Sequence, residues 1–153
     1  MAVNRGKAFE HIIREAFENE PDVVVYRIPD QMSGMYGSKN PCDMFVYAVP
    51  TLFALELKSV HGNTLPFTNI SEYQWQQMLK MSKVTGVVAG VICWYVDRDR
   101  TIFIPIQFLE MLKQNGAKSI RFDADDIYIS DIVGKKKKVF WEYDMSKFFE
   151  EWR

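Results

Sequence analysis

Asn40-Pro41-Cys42-Asp43-Met44-Phe45-Val46-Tyr47-Ala48-Val49-Pro50-Thr51-Leu52-Phe53-Ala54-Leu55-Glu56-Leu57-Lys58-Ser59 is the stretch around which the chain is organised. It reads as two strands joined by a tight turn at Val49-Pro50-Thr51. Side chains two apart on a strand share a face, about 7 Å apart along it. Glu56 and Lys58 therefore point one way, while Phe53, Leu55 and Leu57 point the other. Leu52 and Ala54 make the Glu56 side apolar too, so the second strand is expected to be an inner one whose last residues emerge at a polar site. With the hairpin paired around Pro50-Thr51, Asp43 comes level with Glu56 or Lys58, within a residue or two. Two carboxylates and an ammonium then converge at one sheet edge.

Outward from this unit, Asn4 is the expected cap of a helix from about Arg5 to Glu18, striped by Phe9, Ile12, Ile13, Ala16 and Phe17. Val23 to Ile28 is β-branched and apolar and predicts a buried strand. Pro29 to Pro41 breaks every periodicity. A loop of that length inside a compact domain tends to be functional, and Met32, Met35 and Tyr36 give it an apolar tip beside Lys39. Downstream, His61 to Ile70 predicts a loop and Ser71 caps a second helix. Val87 to Val96 predicts a central strand, Asp97-Arg98-Asp99-Arg100 a charged turn, and Thr101 to Ile104 a strand pairing back. Pro105 opens a short helix, Ile106 to Gln114, stopped by Gly116. Ser119 to Phe122 and Lys138 to Tyr143 predict short strands, with Lys135 to Lys138 a basic turn after Gly134, and Asp144 caps a last helix. This order is an α/β pattern: a mixed sheet covered by helices.

The 153 residues, 48% hydrophobic and rich in Phe and Tyr, fit one globular domain over 1–153 and argue against disorder. A net charge of −1 advertises no overall basic field, so any nucleic-acid contact must rest on local clusters. Cys42 and Cys93 sit in apolar runs without a CxxC partner, which predicts reduced, buried thiols, no zinc site and a cytoplasmic setting. With neither an N-terminal apolar segment nor an eighteen-residue apolar run, no membrane association is expected.

Ionised Asp43 and Glu56 are acceptor-only oxygen ligands. Such a pair, completed by water and a substrate phosphate, suits Mg²⁺, with Mn²⁺ as a substitute. Lys58 beside it could orient or deprotonate an attacking water, or stabilise transition-state charge. The bland reading of Glu56-Leu57-Lys58 is a strand-end ion pair that contributes little. His11 and His61 are not required in such a site, and Trp75, Trp94 and Trp141 read as core or interface residues.

Pro41-x-Asp43 followed by Glu56-Leu57-Lys58 resembles the PD-(D/E)xK nuclease signature, with Pro one place further from the Asp than that name implies. More specifically, the chain resembles the RecU-like Holliday junction resolvases, including the short phage-borne versions. Asn4-Arg5-Gly6 with Glu10 is similar to that family's first-helix motif. Glu56-Leu57-Lys58-Ser59, Leu65-Pro66-Phe67 and Gln74 are similar to its active strand, loop and following helix, and Gly86 to Val91 to its third core strand. The resemblance implies a restriction-endonuclease-like fold. It makes Asp43, Glu56 and the Leu57 carbonyl the metal ligands and Lys58 the catalytic lysine, with Glu10 and Gln74 completing the site. It also implies a homodimer acting on branched DNA, with residues 29–41 as a projecting stalk that is short for the family. Arg5, Lys7, Tyr36, Lys39, Lys135 and Lys136 are the residues expected at the DNA surface, although a solvated loop accounts for the two C-terminal lysines equally well. Three functions stay open: a metal-dependent junction resolvase, a nuclease of the same superfamily with another DNA substrate (restriction or repair type), and a non-catalytic DNA-binding module.

Overall fold

The hairpin forms as its sequence dictates. In the computed structural model, which describes residues 4–30 and 39–153, Met44–Ala48 (β2) pairs antiparallel with Thr51–Val60 (β3), Ala48 opposite Thr51 and Met44 opposite Leu55. Ten residues against five leaves β3 overhanging its partner. The whole strand from Leu52 to Val60 is instead matched by Val87–Tyr95 (β5), which runs parallel to it. On the far side of β2 lies Val23–Arg27 (β1), and beyond β5 lie Arg100–Pro105 (β6) and Ser130–Asp131 (β8). The six strands are ordered β1-β2-β3-β5-β6-β8, with β3–β5 the parallel pair. A parallel connection needs a crossover. It is made through Thr64–Pro66 (β4) and the helix Glu72–Ser82 (α2).

Alternation along β3 divides the molecule into two cores. Phe53, Leu55 and Leu57 face the helices Arg5–Glu18 (α1) and Ser146–Trp152 (α4), where they meet Phe9, Phe17 and Phe148. Ala54 and Val60 face α2 and the helix Ile106–Gln114 (α3), against Trp75, Met78 and Leu109. Expected caps are in place: Lys7 N–H donates to Asn4 Oδ1 (3.1 Å) and Gln74 N–H to Ser71 Oγ (3.1 Å). At α4 the cap position falls instead to Met145, and Asp144, one place earlier, accepts from Ser146 N–H at 2.9 Å. Beyond α3, Gly116 at φ +95° supplies the left-handed residue that stops the helix. Both thiols are buried and unpaired, as expected.

Three expectations need correction. β1 is an edge strand rather than a buried one: Val23 and Val25 pack under α1, while Val24 and Tyr26 are 66% and 61% exposed because no helix covers their face. Residues 61–70 are more ordered than a loop, since β4 pairs antiparallel with Ser119–Arg121 (β7) and Phe67–Asn69 forms a 3-10 turn. Burial of Leu65 and Phe67 drives this, and no local pattern of turn residues could foretell it. Lys135 and Lys136 lie on a strand, Val133–Lys136 (β9), paired with Trp141–Asp144 (β10); only the later lysines are in the turn. Gly134 permits that pairing, because a β-carbon there would strike the Glu142 backbone. The expected stalk falls largely on residues 31–38, outside the described residues.

Candidate active site

β2 ends at Met44 and β3 does not, so β3 from Glu56 onward has β5 on one flank and nothing from β2 on the other. Asp43, the residue just before β2, occupies that gap. Its backbone N–H donates to the Leu55 carbonyl (3.0 Å) and its carboxylate accepts from the Leu57 N–H (2.8 Å). Within an extended residue N–H and C=O turn to the same flank, so the Leu57 carbonyl opens on Asp43's side.

Glu56 is 2% exposed, an unusual burial for a carboxylate. Its Oε2 lies 3.1 Å from Lys58 Nζ, and its Oε1 accepts from Gln74 Nε2 at 3.1 Å, near the start of α2. Burial chiefly, then the adjacent charge on Asp43, push its carboxyl up to about 8, while Lys58 pulls the other way. Two acids this close resist double ionisation, which is a tension a divalent cation relieves.

Glu10 reaches the same end of the sheet from α1. Burial and the Asp43 charge raise its carboxyl above the ordinary range, against the pull of Arg27. Arg27 Nε sits 2.9 Å from Glu10 Oε1, and its Nη2 donates to Asp30 Oδ1 at 3.1 Å. Arg27 was not among the expected site residues. The readable signal was parity: on β1 it shares the inward side with Val23 and Val25, an odd place for a guanidinium without a buried partner.

Asp43, Glu56, Lys58, Gln74 and Glu10 are thus gathered at one end of the sheet. Of the expected DNA-facing residues, Lys7 lies 3.9 Å from Asp30, and Lys39 sits over the Tyr73 ring (5.7 Å), next to Gln74. Arg5 acts on Asp97, just past the C-terminal end of β5, and Lys136 is tied to Asp99 at 2.9 Å. Lys135 is exposed on β9, and Tyr36 lies outside the described residues. His11 pairs with Glu15 and His61 with Asp97, while Trp75 and Trp94 are core residues. Among the described residues, no three His, Cys, Asp or Glu groups come together as a metal cage. A carboxylate pair with a backbone carbonyl fits Mg²⁺ better than a cage would, because that ion keeps waters and takes phosphate oxygens.

The fold and this carboxylate–lysine cluster define a chain of the restriction-endonuclease-like class. It is similar in fold to Hjc from Archaeoglobus fulgidus, a Holliday junction resolvase from an archaeal hyperthermophile, with a TM-score of 0.54 and 22% identity over 76% of this chain and 88% of that one. No curated protein matches the sequence significantly. The family model for Recombination protein U, RecU, matches residues 25–140, and the chain belongs to that family. The resemblance drawn from the sequence is therefore borne out at the level of family and fold.

Proposed function

We propose that this protein is a Holliday junction resolvase, a Mg²⁺-dependent endodeoxyribonuclease that hydrolyses phosphodiester bonds at four-way DNA junctions. One observation carries the reading. In a RecU-family chain, Asp43 and a buried Glu56 stand side by side on the open flank of β3, with Lys58 and Gln74 on the Glu56 carboxylate. Asp43, Glu56 and the Leu57 carbonyl would hold the ion, which when bound supplies charge neutralisation at the phosphate and a more acidic water. Lys58 then orients the attacking water and takes its proton or steadies the developing charge. Gln74 fixes the rotamer of Glu56, and Arg27 fixes Glu10 beside Asp43. All the described residues form one nuclease domain, with the connection around 31–38 engaging the junction.

Two symmetric cuts need two sites, hence a homodimer. Val24, Tyr26 and Tyr47, side by side on the uncovered face of β1–β2, offer apolar surface of the kind a second copy would bury. No described helix is long and apolar enough to cross a membrane; we place the activity in the cytoplasm of a bacterium or a phage-infected cell.

The test is a cleavage assay on four-way junction, linear duplex and single strand, with and without Mg²⁺. Metal-dependent cutting of the junction alone is expected. Duplex cut as readily as junction would leave a nuclease of another substrate, and binding without cutting under any divalent metal would leave a DNA-binding module.

A further inference from the structure

We propose that Arg98, braced by Asn63 and Phe122, is a phosphate-binding guanidinium that grips the DNA strand a few nucleotides from the bond being cut. The inference rests on the nuclease reading above and adds a contact that the motif residues do not provide.

β3 and β5, being parallel, finish together, with Val60 opposite Tyr95. The segments that leave them are stitched to one another. His61 Nδ1 lies 3.2 Å from Asp97 Oδ1, Gly62 N–H donates to Asp97 Oδ2 at 2.7 Å, and Arg98 Nε donates to Asn63 Oδ1 at 2.7 Å. Phe122 completes the brace: its N–H donates to the Asn63 carbonyl (2.8 Å), and its ring lies 4.7 Å under the Arg98 guanidinium. Phe122 packs against the core beneath α2 and α3, on the Ala54 side of the sheet. Ala54, Glu56 and Lys58 share that side by strand alternation. Arg98 therefore stands on the same layer as the catalytic carboxylates, further along the strand direction.

The neighbouring carboxylates are already engaged. Asp97 is held by His61 and Gly62, Asp99 by Lys136, and Asp123 by Arg121. Arg98 makes no ion pair among the described residues, and its two Nη groups have no hydrogen-bond partner among them. A guanidinium fixed at Nε and stacked on a ring has already lost rotamer freedom, and its remaining N–H fork matches phosphate oxygens. β3 ends at Val60, about 7 Å along the strand from Lys58, and Arg98 is held just beyond that end, a few nucleotides along one strand.

The test measures binding of the full-length chain to a fluorescent four-way junction over a series of salt concentrations in Mg²⁺. Every variant is built on Asp43→Asn so that the junction stays whole, and cutting by the unmodified chain is measured in parallel. Arg98→Ala is expected to weaken binding about five- to twentyfold and to lower the slope of log K against log salt by about one. Arg98→Lys should restore the slope but not the affinity, because charge returns without the fork. Asn63→Ala should lose affinity with the slope unchanged. Binding by Arg98→Ala within twofold of the parent, at the same slope, overturns the inference while leaving a cutting enzyme. If Arg98→Ala fails to fold, the other two variants decide: parental binding by both overturns it equally. A parent chain that neither binds nor cuts the junction overturns the nuclease reading itself, and this inference with it.

Discussion

The two halves of β3 have one backbone and opposite characters. From Thr51 to Leu55 the strand lies between β2 and β5, and its side chains are apolar and enclosed. From Glu56 to Val60 the β2 flank is missing, and a carboxylate, an ammonium and a backbone carbonyl occupy the opening. The difference lies in where the neighbouring strand stops. Asp43 fills the first vacated position through a side-chain bond to Leu57 N–H, so the sheet's hydrogen bonding continues into the site. A buried Glu56 is tolerated there because Lys58 and Gln74 occupy both its oxygens.

Asp43→Asn and Lys58→Ala attack the open half. Each is expected to lower the single-turnover rate of metal-dependent cutting by roughly a thousandfold, about 4 kcal/mol of barrier; the thermal midpoint should change little for Asp43→Asn but fall for Lys58→Ala, which strips the buried Glu56 of its cation. Retained cutting would dissolve the distinction between the halves. Leu55→Ala attacks the enclosed half and should cost about 2–5 kcal/mol of stability in denaturant unfolding, while the rate at saturating junction in the folded fraction stays near that of the parent. A pH series on the metal-free protein sharpens the contrast further. Glu56 titrates higher folded, at about 8, than the roughly 4.3 of an unfolded glutamate, so the folded chain binds more protons than the unfolded one between those values. Its contribution to stability is therefore greatest below the unfolded value and declines as pH rises towards 8. Glu56→Gln should flatten that decline in calorimetry, and Mg²⁺ should oppose it in the parent. Gln74→Ala is the smallest change, about a tenfold slower cut from a less constrained Glu56, read as kcat with KM little altered.

Much of the site was legible in the sequence because its central part is local. Alternation placed Glu56 and Lys58 together, the turn at Val49-Pro50 set the register, and Asp43 followed from both. Glu10 and Gln74 were legible only through family likeness, since their approach depends on how two helices dock. Arg27 went unread because its parity with Val23 and Val25 marks it as inward-facing without naming a partner seventeen positions away. Of the β4–β7 and β9–β10 ribbons only the later strand of each was foreseen; β4 and β9 were missed because short strands are chosen by the surface that they cover more than by their own propensity. Edge position likewise decides that Val24 and Tyr26 stay in solvent, although their residue types favour burial.

The parallel pairing of β3 with β5 also dictates an order of assembly. The two carboxylates lie thirteen residues apart and meet by closing one hairpin, whereas Lys58 and its cross-strand neighbour Cys93 lie thirty-five apart. Closing the longer loop costs more chain entropy and repays it only once α2 is seated. The hairpin that sets Asp43 beside Glu56 can therefore close before β5 and α2 arrive, but two strands alone are marginally stable and are fixed only when those elements pack on them. The carboxylate pair is the local part of the fold, and its rigid placement depends on the second half of the sheet.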